Sequence, residues 1–177
     1  RRIGKLSHFS SALDTHIDHI FSVLDPSSIQ SSSLRVLIDA NNGTGALADP
    51  LLLDRLGIHY DILNAEPNGR FAHDPEPSKG NLSEIMEAMK AGNYDIGFVQ
   101  DADADRLVIL DETGHFIGED YSLGLCVDYI LQHSNDESKP VVVNLSTSQV
   151  ISHIAKQYNA QLHYTKIGET HVTQGIR

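Results

Sequence analysis

The sequence predicts an α/β protein. It should have a three-layer domain with a mixed, mainly parallel sheet, an antiparallel hairpin that carries an acidic metal loop, and then a partial second α/β domain of the same build. Three observations predict this. Short apolar, β-branched runs alternate with amphipathic helical stretches; two later runs are joined by too few residues for a helical crossover; and the alternation restarts after the polar break "SNDESKP".

The elements follow in order. "SSALDTHIDHIFSVLD" reads as a helix, with Leu13, Ile17, Ile20 and Leu24 near helical spacing and a serine at its start. "PSSIQSSS", with five serines in eight residues, reads as a flexible linker or long loop. "LRVLIDA" is a strand, "GALADPLLLDRLG" a helix stopping at Gly57, and "HYDILNA" a second strand. The loop "EPNGRFAHDPEPSKGN" leads to the helix "LSEIMEAMKAGN", and two βα units in succession imply parallel strands.

"YDIGFVQD" and "RLVILDE" are the third and fourth strands and must pair antiparallel. "DETGHF" turns at Gly114, and "EDYSLGLCVDYILQH" is a further helix. After the break come strand "VVVNLS", helix "SQVISHIAKQY", strand "QLHYTK" and the opening of something at "IGETHVTQGIR". The expected division is 1–33, the last helix of a preceding domain with its linker; 34–134, a first α/β domain; and 139–177, the truncated start of a second.

Composition excludes some classes. With 40% apolar and 21% charged residues the chain is of ordinary globular type, and its longest apolar runs are too short for a bilayer. The start, "RRIGKLSHFSSALDTHIDHIF", lacks the apolar centre and small-residue cleavage site of a signal peptide. One cysteine, Cys126, rules out an internal disulfide, suits a reducing cytoplasm, and reads as a core residue. A net charge of −11 argues against nucleic acid. It also sits badly with an anionic substrate unless a metal supplies positive charge.

Two motifs could carry chemistry. "NGTGALA" places Gly43, Gly45 and Ala48 in G-x-G-x-x-A spacing after a strand, with Glu66 beyond the next strand. That is much of a dinucleotide-binding fingerprint, although two glycines also suit a tight strand-to-helix turn. The second motif is "FVQDADADRLVILDE", in which Asp101, Asp103 and Asp105 alternate just past a strand end. Carboxylates this dense ask for a cation, and hard oxygens suit Mg²⁺ or Ca²⁺ rather than zinc. An exposed acidic turn is the plainer alternative.

An EF-hand loop would place Asp101, Asp103, Asp105 and Glu112 at its ligand positions. It fails because Arg106 stands where that loop turns on glycine, and because both flanks are strands. A phosphatase-like nucleophile pair, Asp101 and Asp103, fits poorly with Asp105 two residues on, where that chemistry uses a small or β-branched side chain. A Mg²⁺ cage that leaves a coordination place for a phosphate fits best, with Arg106 offering a fork to the same phosphate. It also resolves the charge problem, because the metal meets the anion.

"DADADR" between two strands, with "VLIDANNGTG" and "HDPEPSKGNL" before it and "YTKIGETHV" after, resembles the second domain and early third domain of the α-D-phosphohexomutase superfamily. That superfamily comprises phosphomannomutases, phosphoglucomutases and phosphoglucosamine mutases. The resemblance runs from residue 11 nearly to the end, with Ala102 where the family commonly has glycine.

The resemblance implies reversible movement of phosphate between the 1- and 6-positions of a hexose, through a phosphoserine in the first domain and a bisphosphorylated intermediate. It implies Mg²⁺ on Asp101, Asp103 and Asp105, phosphate binding by Arg106, and an approach of Lys166 to the active site. It also implies that domains 1 and 4 of the same protein, the phosphoserine and the sugar-recognition loop lie outside these residues, so the segment alone should be inactive. His73 falls near the metal loop by the same similarity, although an exposed loop histidine is its default; His153, His163 and His171 suggest no metal pair. A non-catalytic Mg²⁺- or Ca²⁺-binding module remains the alternative class.

Overall fold

A computed structural model describes residues 4–177. The chain divides into two compact units, 1–116 and 117–177.

The first unit opens with helix α1 (Ala12–Val23), which buries Ile17. It lies against α3 through Arg55, whose Nη1 is 2.6 Å from Asp18 Oδ1 and whose guanidinium lies over the Phe21 ring. The helix expected to end a preceding domain thus packs within this unit. The serine-rich stretch expected as a linker contains a single helical turn, α2 (Ser27–Gln30). The Asp25 carboxylate accepts from the Ser27 amide at its start, and the Ser31 and Ser32 hydroxyls donate to carbonyls three residues back. Local side-chain bonds, invisible to apolar periodicity, order this turn.

Strand β1 (Arg35–Asp39) follows, then α3 (Gly45–Leu56), which ends on Gly57 in the left-handed conformation at φ 68°. Strand β2 (His59–Leu63), helix α4 (Ser83–Ala91) and strands β3 (Ile96–Gln100) and β4 (Leu107–Leu110) complete the unit. The sheet order is β2-β1-β3-β4; β1 pairs parallel with β2 and β3, and β3 pairs antiparallel with β4. The hairpin and the parallel pairs are those the sequence predicts.

Side chains alternate across β1, so the sheet gains two cores. Leu37, with Val99, Val108 and Leu110, packs under Leu82, Ile85 and Met89 of the α4 side. Val36 and Ile38 face Leu53 of α3. Two helices on opposite faces give the three layers. Ile85 is fully buried, so Ile85→Val, which removes one methylene, is expected to cost about 1 kcal/mol, read from chemical denaturation at unchanged m-value.

This topology also decides where a ligand can sit. β1 sends its chain through α3 to β2 on one side, while β3 lies on its other side, so the strand order reverses between β1 and β3. Loops leaving the carboxyl ends of such strands open a crevice at the reversal. Those loops are residues 40–44 and 101–106.

In the second unit, β5 (Pro140–Asn144) pairs parallel with β6 (Gln161–Thr165). Helices α5 (Glu119–His133), α6 (Gln149–Gln157) and α7 (Glu169–Ile176) accompany them. α5, expected with the first domain, packs against α6, and a Cβ at Gly124 would stand 3.2 Å from Val150 Cγ1. Cys126 is exposed, which corrects its reading as core. α5 also exposes Leu123, Leu125, Tyr129 and Ile130, so apolar character on this helix does not mark its buried side. No helix among the described residues is long and apolar enough to cross a membrane.

Candidate metal centre

The acidic motif occupies the turn between β3 and β4. Ala104 takes φ 60°, a left-handed conformation rare for a residue with a side chain, and its amide donates to the Asp101 carbonyl at 3.2 Å. That kink breaks the two-sided alternation of a strand. One carboxylate oxygen from each of Asp101, Asp103 and Asp105 lies within 4.8 Å of the others. Asp101 is half-buried, and Asp103 and Asp105 are exposed. A turn in which three carboxylates converge is thus built by one strained alanine and one backbone bond.

The electrostatics match. The Asp105 carboxyl is pushed above its ordinary range, first by the hydrogen bond it shares with Asp101 and then by the charges of Asp103 and Asp101. A proton there eases repulsion that a divalent cation would ease better. Octahedral Mg²⁺ at about 2.1 Å sets ligand oxygens about 3 Å apart, or about 4.2 Å when opposite, so a small closure of these side chains suffices. Three hard oxygens from one loop, with room for waters or phosphate, fit that ion.

Two neighbouring loops hold the turn in place. The Thr44 amide donates to the Ala102 carbonyl at 3.0 Å, and a Cβ at Gly43 would stand 2.5 Å from that same oxygen. Gly45 likewise leaves room for the Gln100 side chain. The glycines of "NGTG" therefore make space for the metal loop and its strand. The backbone a pyrophosphate would approach is occupied by this chain, which removes the ground for the dinucleotide reading.

Asn41 and Asn42, both with positive φ, hold the second loop. Asn41 Oδ1 accepts from the Ala72 and His73 amides, and Asn42 Nδ2 donates to the Arg70 carbonyl at 2.8 Å. His73 is not an exposed loop residue: its side chain is about nine-tenths buried, with Nε2 3.2 Å from the buried Asp39 carboxylate. Asp39 also accepts from the Asn41 amide and Asn64 Nδ2. Glu76, from the same loop, receives the Arg106 guanidinium at 2.7 Å, while the Arg106 amide donates to Asp101 Oδ1 at 3.1 Å.

Asp39, Asn41 and Glu76 are supporting residues that sequence reasoning did not single out, whereas His73, named there by resemblance, differs only in being buried against Asp39. The paired asparagines before the glycines were the signal available, since Asn tolerates the left-handed turn and can also bond across it. Lys166 lies just beyond β6 in the second unit and is exposed. His153, His163 and His171 are exposed too.

Comparison with known proteins places the fold in a family. Residues 14–114 match "Phosphoglucomutase/phosphomannomutase, alpha/beta/alpha domain II", and residues 118–177 match domain III of the same family. The chain belongs to the phosphoglucomutase/phosphomannomutase family. It is 34% identical over 175 residues to the "Probable phosphoglucosamine mutase" of Methanopyrus kandleri, covering 98% of this chain and 38% of that protein. It is 36% identical to the "Phosphoglucomutase/phosphomannomutase" of Thermococcus kodakarensis, with the same coverage. A crystal structure of a phosphoglucomutase/phosphomannomutase family protein from Burkholderia thailandensis shares the fold, with a TM-score of 0.77 at 22% identity, over 93% of this chain and 35% of that one. The chain thus spans about 38% of the length of the curated phosphohexomutases it matches.

Proposed function

We propose that these residues form the metal-binding part of a phosphohexomutase that moves phosphate between the 1- and 6-positions of a hexose through a phosphoserine and a bisphosphorylated intermediate. The observation that carries the proposal is the convergence of Asp101, Asp103 and Asp105 in one turn at the strand-order reversal. Family membership supports the reaction class, and the relatives' names span glucosamine, glucose and mannose phosphates, so the substrate class is hexose phosphate.

In this reading the three aspartates hold Mg²⁺, which when bound would stabilise the negative charge of a phosphoryl group in transfer. Arg106 presents its guanidinium to the phosphate as a fork, and Glu76 keeps that side chain over the loop beforehand. The pair is exposed on both sides, so an arriving phosphate can displace Glu76 at a cost of about 1 kcal/mol or less. Lys166 would supply a second positive charge, an assignment that rests on the resemblance of "YTKIGETHV". The phosphoserine belongs, by the same resemblance, to a domain ahead of these residues. The segment alone should bind metal, and sugar phosphate should not turn over on it.

The test is calorimetric titration of the 177-residue chain with Mg²⁺, together with its melting temperature. One saturable site is expected. At ten times Kd the ion should stabilise the folded state by about 1.4 kcal/mol, a rise of roughly 3–5 °C. No saturable heat and no shift would remove the metal assignment while leaving family membership intact.

A further inference from the structure

Behind the metal loop, on the α3 side of the sheet, lies a cleft of about 350 Å³. Val36, Ile38, Leu53 and Phe98 are among its apolar lining, and the only polar side chains among the described residues there are Asp49 of α3 and Gln100, the last residue of β3. Asp49 is 7% exposed. Gln100 Nε2 donates to Asp49 Oδ1 at 2.9 Å. Asp49 Oδ2 and Gln100 Oε1 are both buried without a hydrogen-bond partner.

Were Asp49 ionised, both of these atoms would be acceptors only, and a charge would sit in an apolar lining with no cation beside it. That is among the costliest arrangements a protein can hold. The two atoms belong to groups already joined by one hydrogen bond. A single proton on Asp49 Oδ2 would supply the missing donor.

We propose that Asp49 is held as the neutral acid, its Oδ2 hydroxyl donating to Gln100 Oε1 while Oδ1 accepts from Gln100 Nε2, a reciprocal acid–amide pair that fixes the end of β3. Burial pushes the Asp49 carboxyl up, and the Gln100 hydrogen bond opposes it only in part. Among the described residues no other charged or titratable side chain lines the cleft; α2, β1, β3 and β4 contribute Gln100 and apolar groups alone. Gly45, one turn before Asp49, is left without a side chain where the Gln100 amide lies against it. Asp49 and Gln100 are therefore positioning residues for Asp101, the next residue along. The pairing stands without the metal reading; only its effect on Mg²⁺ rests on that reading.

The sign of the pH dependence follows. A folded state that keeps this proton above the ordinary aspartate range gains stability that is full at low pH and is lost as pH rises through the elevated value. Asparagine at 49 reproduces the neutral acid, with an amide N–H for the hydroxyl, and cannot ionise.

Thermal unfolding of the metal-free chain and of Asp49→Asn, between about pH 4 and pH 9, tests this. The variant's melting temperature minus the parent's should rise with pH by about 2–4 °C, while Glu87→Gln, which removes an exposed carboxylate, should not reproduce the rise. The parent's infrared spectrum at neutral pH should show a protonated-carboxyl stretch that Asp49→Asn lacks. A difference flat or falling with pH, or no lost band, overturns the pairing. Should the variant fail to fold, carboxyl-¹³C aspartate labelling of Asp105→Asn decides. One resonance staying at the neutral-acid position at neutral pH supports the proposal, and full ionisation of every aspartate overturns it. A pairing upheld by these tests, with Mg²⁺ affinity equal in the parent and in Asp49→Leu, which removes the pair at similar side-chain size, would overturn only its consequence for the metal loop.

Discussion

On the proposed function, Asp103→Ala in the full-length protein is expected to lower mutase turnover about a thousandfold, or ~4 kcal/mol of transition-state stabilisation, with the fold intact. Asp103 is the residue of choice because the three aspartates differ in what else they do. Asp101 Oδ1 accepts the Arg106 amide, so its loss would disturb the turn as well as the ion. Asp105 shares a hydrogen bond with Asp101. Asp103 is exposed, and its removal takes one like charge out of a repelling trio, so melting temperature without metal should hold or rise slightly. A large loss in kcat beside unchanged stability isolates the chemistry. The assay is conversion of hexose 1-phosphate to 6-phosphate in Mg²⁺, and a variant that kept its rate would sink the ligand assignment.

The fold was legible because its signals are local. Alternation in "LRVLIDA", the glycine stop at Gly57 and the short link between β3 and β4 each act within a few residues, and together they dictate parallel strands with one hairpin. The aspartate trio was legible too, since charge density shows in sequence. What holds it was not. Asn41 and Asn42 bond to residues 24 to 32 positions away, and Gly43 meets Ala102 across two strands, so "ANNGTG" carries meaning only once the chain is folded. His73 read as solvent-exposed because it lies in a loop and its buried partner, Asp39, sits 34 positions away at the end of β1. Cys126 read as core because α5 is apolar around much of its girth, which leaves periodicity nothing to choose between.

Gly43→Ala should lower Mg²⁺ affinity at least about tenfold and cost about 1–3 kcal/mol of stability. The added methyl carbon would stand 2.5 Å from the Ala102 carbonyl oxygen and 3.1 Å from both its carbonyl carbon and Cα. All three are backbone atoms, so no side-chain rotation relieves the contact. Either the Thr44–Ala102 hydrogen bond opens or the metal turn moves outward. Ala102 lies between Asp101 and Asp103, so a displacement of a few tenths of an ångström there spreads the carboxylates, and Mg²⁺ tolerates little departure from octahedral geometry. Gly80→Ala is the control, because a Cβ there meets nothing within 4 Å. Calorimetry on the two variants separates the effects. If Gly43→Ala kept the parent's Mg²⁺ affinity, then the close approach of these two loops would not be what shapes the site, and the glycines would be needed only for the strand-to-helix turn.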